Sequence, residues 1–139
     1  MEIKIREIKK VDMEVVIEML QDISKWGPQK NNFNKVYKEF ISQSNVLGFV
    51  YLYNNNIVGY GCLVFEFKIR GSWIGHIEDI VVNKKFRGKN IGKKIIHHLI
   101  EESKKRNCFK VSLGCGEHNV KFYEKCGLMV DGRSMKKFI

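Results

Sequence analysis

The sequence has a single proline, no C-x-x-C pair and no apolar run near the roughly 20 residues that cross a bilayer. The lone proline excludes a proline-rich linker, and 12 glycines without a period exclude a collagen-like chain. Acidic residues are also scarce: 15 Asp and Glu stand against 25 Lys and Arg, a formal charge of +10. Such a balance predicts an anionic partner. Charge alone leaves nucleic acid, a membrane surface and a phosphorylated small molecule all open. The opening, Met1 to Glu7, alternates charge with aliphatics, unlike a signal or transit peptide. A cytoplasmic location, with no membrane insertion, is the expectation. Cys62, Cys108, Cys115 and Cys126 are then expected as reduced thiols. With His76, His97, His98 and His118 they lack the usual zinc spacing, so no metal is expected.

What is present suits one domain over residues 1–139. A 44% hydrophobic share is enough for one sizeable core. A strand is predicted near 2–8, followed by a helix capped by Asp12 that carries Val15, Val16, Met19, Leu20 and Ile23 at helical spacing. Phe33, Val36, Tyr37, Phe40 and Ile41 mark a second helix. Three β-like runs follow, at 47–53, 57–68 and 73–82, divided by Asn54-Asn55-Asn56 and by Arg70-Gly71-Ser72. Ile91, Ile95, Ile96, Leu99 and Ile100 define a helix over 91–106. A strand at 110–113, a helix over 119–126 ended by Gly127, and a last strand near the C-terminus complete the prediction. The order is βααβββαβαβ. It implies a mixed α/β domain, its sheet mostly antiparallel and leading into a β–helix–β unit.

The most informative stretch begins at His76. His76-Ile77-Glu78-Asp79-Ile80-Val81-Val82 reads as a strand, and a basic glycine loop follows, Arg87-Gly88-Lys89-Asn90-Ile91-Gly92-Lys93. Six basic residues lie between Lys84 and Lys94. A strand–loop–helix of this kind aims unpaired N–H groups at whatever sits before the helix, which suits phosphates. A tight turn with a solvated lysine face explains the same residues. Two phosphate motifs fail outright. Gly88 and Gly92 are four apart and Lys93 is followed by Lys94, so no Walker loop forms; no opening βαβ unit supports a dinucleotide fingerprint.

Arg87-x-x-Asn90-x-Gly92 resembles the pyrophosphate loop of the GNAT superfamily of N-acetyltransferases, and the element order is similar to that fold. Within the superfamily the chain looks most like the enzymes that acetylate glucosamine 6-phosphate. The shared segments are His76–Val82, Arg87–Lys93, Cys108–Val111 and Asn119-Val120-Lys121-Phe122-Tyr123-Glu124-Lys125-Cys126-Gly127. The loop holds Asn90 where the superfamily has glycine, a change asparagine suits because it tolerates positive φ.

The resemblance implies acetyl-CoA as cosubstrate and direct transfer to the 2-amino group of glucosamine 6-phosphate, ahead of UDP-N-acetylglucosamine formation. It implies that the loop from Arg87 through Gly88, Lys89, Asn90, Ile91 and Gly92 to Lys93 holds the pyrophosphate. Ile80, Val81 and Val82 would take the pantetheine as an added strand. Asn119, Tyr123, Glu124 and Lys125 would touch other parts of the cofactor. On spacing alone Tyr123 reads first as a core tyrosine beside Phe122; the resemblance makes it the proton donor to the departing thiolate. Glu78 and Asp79 point to opposite sides of a regular strand. A bulge relaxes that alternation, and the resemblance implies one here. Glu78 would then bind the sugar and help to deprotonate the amine, and Asp79 would hold hydroxyls or the amine. Gly114 replaces an aspartate of some relatives, which leaves its backbone carbonyl to receive the amine. Ser24, Lys68, Arg70, Phe109, Lys110 and Lys137 would bind the sugar phosphate, and a homodimer is expected. A protein N-terminus, a lysine or a polyamine is the alternative acceptor, although +10 favours a phosphorylated one. A nucleic-acid-binding module without catalysis is the other alternative, and no recognition-helix or aromatic–basic RNA signature supports it.

Overall fold

Alternation along three long β-like runs builds a five-stranded sheet in the computed structural model, which describes residues 1–139. The strands are β1 (Lys4–Glu7), β2 (Val46–Tyr53), β3 (Asn56–Phe67), β4 (Trp73–Val82) and β5 (Cys108–Ser112), side by side in chain order. Neighbours are antiparallel except β4 and β5, which run parallel through a crossover helix. The helices are α1 (Met13–Leu20), α2 (Phe33–Ile41), α3 (Ile91–Lys105) and α4 (Val120–Lys125).

Side chains of period two split the core into layers. On one face Tyr51, Leu63, Phe65 and Ile77 pack with Ile91, Ile95, Ile96 and Leu99 of α3. On the other, Val50, Tyr60, Cys62 and Val81 pack with Met13, Val16 and Met19 of α1, and Phe33, Val36 and Phe40 of α2 join them. The α3 stripe is apolar at the spacing that makes one face of a helix. Gly61 lets it sit close, because a Cβ there would lie 3.0 Å from the side chains of both Leu99 and Ile80. Leu99 is fully buried. Leu99→Ala is therefore expected to cost about 3 kcal/mol of stability, transfer and cavity terms together. Urea unfolding would show this as a lower midpoint at unchanged slope; a loss under 1 kcal/mol would contradict the packing.

His98, on the same helix, meets the Tyr51 hydroxyl through Nδ1 at 2.7 Å and the edge of the Phe49 ring, with centroids 4.7 Å apart. Burial holds its pKa below the usual histidine value despite Glu102 at 3.5 Å; Lys105 and His97 also lower it. The unfolded chain thus takes up this proton first. Stability is expected to fall as pH drops below about 6.5, and to stop falling once folded His98 itself titrates. Urea midpoints across that range should slope less for His98→Gln; an equal slope would contradict the assignment.

Two expectations need correction. Asp12 does not cap α1 with its side chain. A 3-10 turn, Lys10–Asp12, precedes the helix, and the carboxylate there accepts from Lys9 N at 2.7 Å and pairs with Arg6 at 2.7 and 3.0 Å. The last strand is also not formed, so the observed order ends βααβββαβα. Gly132, at φ +74°, interrupts the segment, and a strand needs a partner ladder. Residues 128–139 have none within the chain, and Met129, Val130, Met135 and Phe138 stay exposed.

Candidate active site

The site is built where two parallel strands part. β5 pairs with β4 from Trp73/Cys108 to His76/Ser112, and β4 then continues alone on that side through Val82. Across β3 the register shifts: Tyr60 faces Val81 and Cys62 faces Glu78, so Gly61 opposes both Asp79 and Ile80. This is a bulge, and Asp79 takes a left-handed φ of +53° within it. Before it Gly75 and Ile77 face α3; after it Ile80 and Val82 do, one residue out of simple alternation. Cys62, on the α1 face, registers the result. Its thiol is pushed up to about 12 by burial, then by the nearby Asp79 and Glu78 carboxylates, against a lowering contact from Tyr60. The bulge therefore gathers both acids towards one side. Burial also holds Asp79 above the usual carboxylate value.

Beyond the parting lies a cleft of about 1080 Å³. Glu78, Lys110, Gly114, Tyr123, Glu124 and Arg133 are among the residues that line it. Tyr123 is delivered by α4, whose Phe122 ring lies 3.2 Å from where a Cβ on Gly92 would stand. The start of α3 thus positions α4. Burial raises the Tyr123 pKa, with Cys115 and Cys126 adding to the shift, so the phenol keeps its proton at neutral pH. Gly114 leaves room for the C-terminal segment, since a Cβ there would sit 3.0 Å from Ser134 Oγ. A side chain there would need the exposed Ser134 hydroxyl to give way by a few tenths of an ångström.

At the far end of β4 the basic loop turns into α3. Asn83 starts it by accepting from Lys85 N at 3.0 Å; Gly88 at φ +80° and Asn90 at φ +63° make the turn. Asn90 adopts the left-handed geometry expected of it. It makes no side-chain cap, and the first turn of α3 carries no acid, so the N–H groups and dipole of this 15-residue helix are open to an anion. Ile91 and Val81 are buried core residues, 1% and 5% exposed, so only their main chains can serve a ligand. Arg87 donates from Nε to the Val82 carbonyl at 3.3 Å and pairs through Nη2 with Asp22 at 3.0 Å. Lys89 and Lys93 are exposed on the loop and first turn, and Asn119 and Lys125 are exposed at the two ends of α4.

Five expected sugar-phosphate residues are not brought to this cleft by one chain. Ser24 lies in the turn after α1, and Lys137 is in the exposed C-terminal segment. Lys68, Arg70 and Phe109 stand at the β3–β4 turn end of the sheet, where Lys68 pairs with Glu66 at 3.1 Å. Glu66 also meets His76 Nε2 at 2.8 Å, and Ser112 lies 3.3 Å from the other ring nitrogen. Sequence reasoning missed Arg133 and Asp22. Arg133 reaches the cleft only because the C-terminal segment passes Gly114, and Asp22 is paired across 65 residues.

The arrangement offers a carboxylate and a protonated phenol on one cleft, a backbone carbonyl between them in sequence, and, touching the Tyr123 helix at Gly92, a helix start open to an anion. That combination serves transfer of an acyl group to an amine from a carrier bearing phosphates. Comparison with known proteins agrees. The family model described as "Acetyltransferase (GNAT) family" matches residues 13–128. The chain is 47% identical over 64 residues to an Arabidopsis thaliana glucosamine 6-phosphate N-acetyltransferase, a match covering 46% of this chain and 43% of that protein. It is 37% identical over 127 residues to Dictyostelium discoideum glucosamine 6-phosphate N-acetyltransferase 1, covering 88% and 81%. The crystal structure of glucosamine-6-phosphate N-acetyltransferase from Arabidopsis thaliana superposes with a TM-score of 0.89 at 31% identity, over 99% of both chains.

Proposed function

The chain belongs to the GNAT acetyltransferase family, and from that premise we propose that it transfers acetyl from acetyl-CoA to the 2-amino group of glucosamine 6-phosphate. The observation that carries the reading is the convergence of Glu78, Gly114 and Tyr123 on one cleft, with the helix that carries Tyr123 touching the start of α3 at Gly92. Relatives 47% and 37% identical to this chain carry that sugar phosphate in their names. The same reading places the reaction ahead of UDP-N-acetylglucosamine formation.

The residues fit acetyl-CoA. The free edge of β4 past His76 can take pantetheine amides as an added strand, through the main chain of Ile80–Val82. The helix start and the cations from Arg87 to Lys93 suit the pyrophosphate. The cosubstrate supplies a thioester carbonyl open to an amine. Glu78 takes a proton from the acceptor ammonium, directly or through water, and the Gly114 carbonyl orients the freed amine. As the new N–C bond forms, the adduct nitrogen loses its remaining extra proton to water; as the C–S bond breaks, Tyr123 gives its phenolic proton to sulfur and is reprotonated from solvent. Asp79 holds sugar hydroxyls. Lys110 and Arg133 offer cationic charge within the cleft.

A homodimer completes the proposal. β5 is an edge strand whose Phe109 is 76% exposed, and the apolar C-terminal residues beside it lack partners within the chain. A second copy covering this edge would bring cations such as Lys68, Arg70 or Lys137 to the sugar phosphate. Initial rates with both substrates varied test direct transfer. Intersecting lines, with Cys115→Ala within about threefold of the parent, are expected. Parallel lines with acetyl trapped on Cys115 would show a two-step path instead.

A further inference from the structure

Two of the loop's cations are committed to an acid from elsewhere in the chain. Asp22 Oδ2 accepts from Arg87 Nη2 at 3.0 Å, and Oδ1 pairs with Lys84 Nζ at 3.3 Å. Asp22 belongs to the turn that leaves α1. Around it Ile23 N and Ser24 N donate to the Leu20 carbonyl, and Gln21 Nε2 holds the Trp26 carbonyl at 2.9 Å and the Ile17 carbonyl at 3.1 Å. Asp22, Ser24 and Trp26 therefore belong to one hydrogen-bonded unit. Asp22 links that unit to the basic loop.

We propose that Asp22 is a positioning residue which competes with the cofactor's pyrophosphate for Arg87 and Lys84, so that cofactor binding releases the 21–27 turn from the loop. The inference rests on the assignment of the loop to acetyl-CoA phosphates. A carboxylate and a phosphate oxygen make the same charge-assisted contacts with a guanidinium. Arg87 and Lys84 remain 53% and 72% exposed, so their pairs with Asp22 are the weak, solvent-screened kind that a multiply charged anion displaces. The exchange moves one negative charge away from the loop as the phosphates arrive, and it frees the turn that carries Ser24.

Trp26 is 78% exposed and reports on this turn; Trp73, the other tryptophan, can be changed to Phe to leave one emitter. In the Trp73→Phe protein, CoA is expected to change Trp26 emission, and S-acetylpantetheine, which lacks the phosphates, is not. Asp22→Asn should give free protein the emission of the CoA-saturated parent. It should also tighten CoA binding in calorimetry about three- to tenfold. A Lys93→Gln control should weaken CoA. If Lys93→Gln weakens CoA while Asp22→Asn leaves its affinity and the Trp26 response unchanged, the loop assignment stands and the role of Asp22 falls. Weaker CoA binding by Asp22→Asn also overturns the competition. If CoA does not bind the Trp73→Phe protein at all, both fall together.

Discussion

Tyr123→Phe is expected to lower kcat about 100-fold while leaving CoA affinity within about twofold. The ring stays, so packing against Phe122, whose centroid is 5.0 Å away, is kept. Only the phenolic proton goes. General acids contribute about 10²- to 10⁴-fold, and a thiolate leaves readily enough to put this case near the lower end. A loss confined to kcat would identify a group that acts in the transition state rather than in binding. Because burial raises the Tyr123 pKa above its usual value of 10, the parent enzyme should show no alkaline loss from this group between pH 7 and 9. Rates by thiol release and affinities by calorimetry check both halves. A variant with more than one-fifth of the parent kcat would remove Tyr123 from the chemistry.

Glu78→Gln is the second large effect, about 10²-fold or more in kcat/KM at pH 7. Glutamine keeps the shape and cannot take the ammonium proton. The loss should narrow as pH rises, because more of the acceptor amine is then already free. That narrowing separates a base from a residue that merely binds the sugar, whose loss would persist at every pH. Asp79 offers a contrast. Its backbone sits at φ +53° in the bulge, so Asp79→Asn keeps a residue at ease in that geometry, whereas a β-branched residue there would strain the bulge as well. A pH-independent deficit in Glu78→Gln would transfer the base role to another group.

Much of this was legible in the residues. Apolar spacing located four helices and five strands, most clearly α3, whose Ile91, Ile95, Ile96 and Leu99 share one buried face. The bulge came from the resemblance rather than the spacing, because neighbouring Glu78 and Asp79 alternate sides of a regular strand, and the register at Gly61 has it. The failures have local causes too. The strand expected near the C-terminus has no ladder within the chain to join. Asp12 looks like a cap by type and position, yet Arg6 lies close enough to claim its carboxylate. No periodicity announces a pair such as Asp22 with Arg87, which depends on how the turn after α1 meets the loop. The cleft joins residues from β4, β5, α4 and the C-terminal segment, so Arg133 had no sequence neighbour to reveal it.

The central claim is best tested by following thiol release from acetyl-CoA with three acceptors side by side: glucosamine 6-phosphate, glucosamine and a lysine peptide. The account predicts rapid release with the phosphosugar, far slower release with the unphosphorylated sugar and none with the peptide. Release with the peptide and not with glucosamine 6-phosphate would keep the fold and the cofactor loop, and would contradict the acceptor.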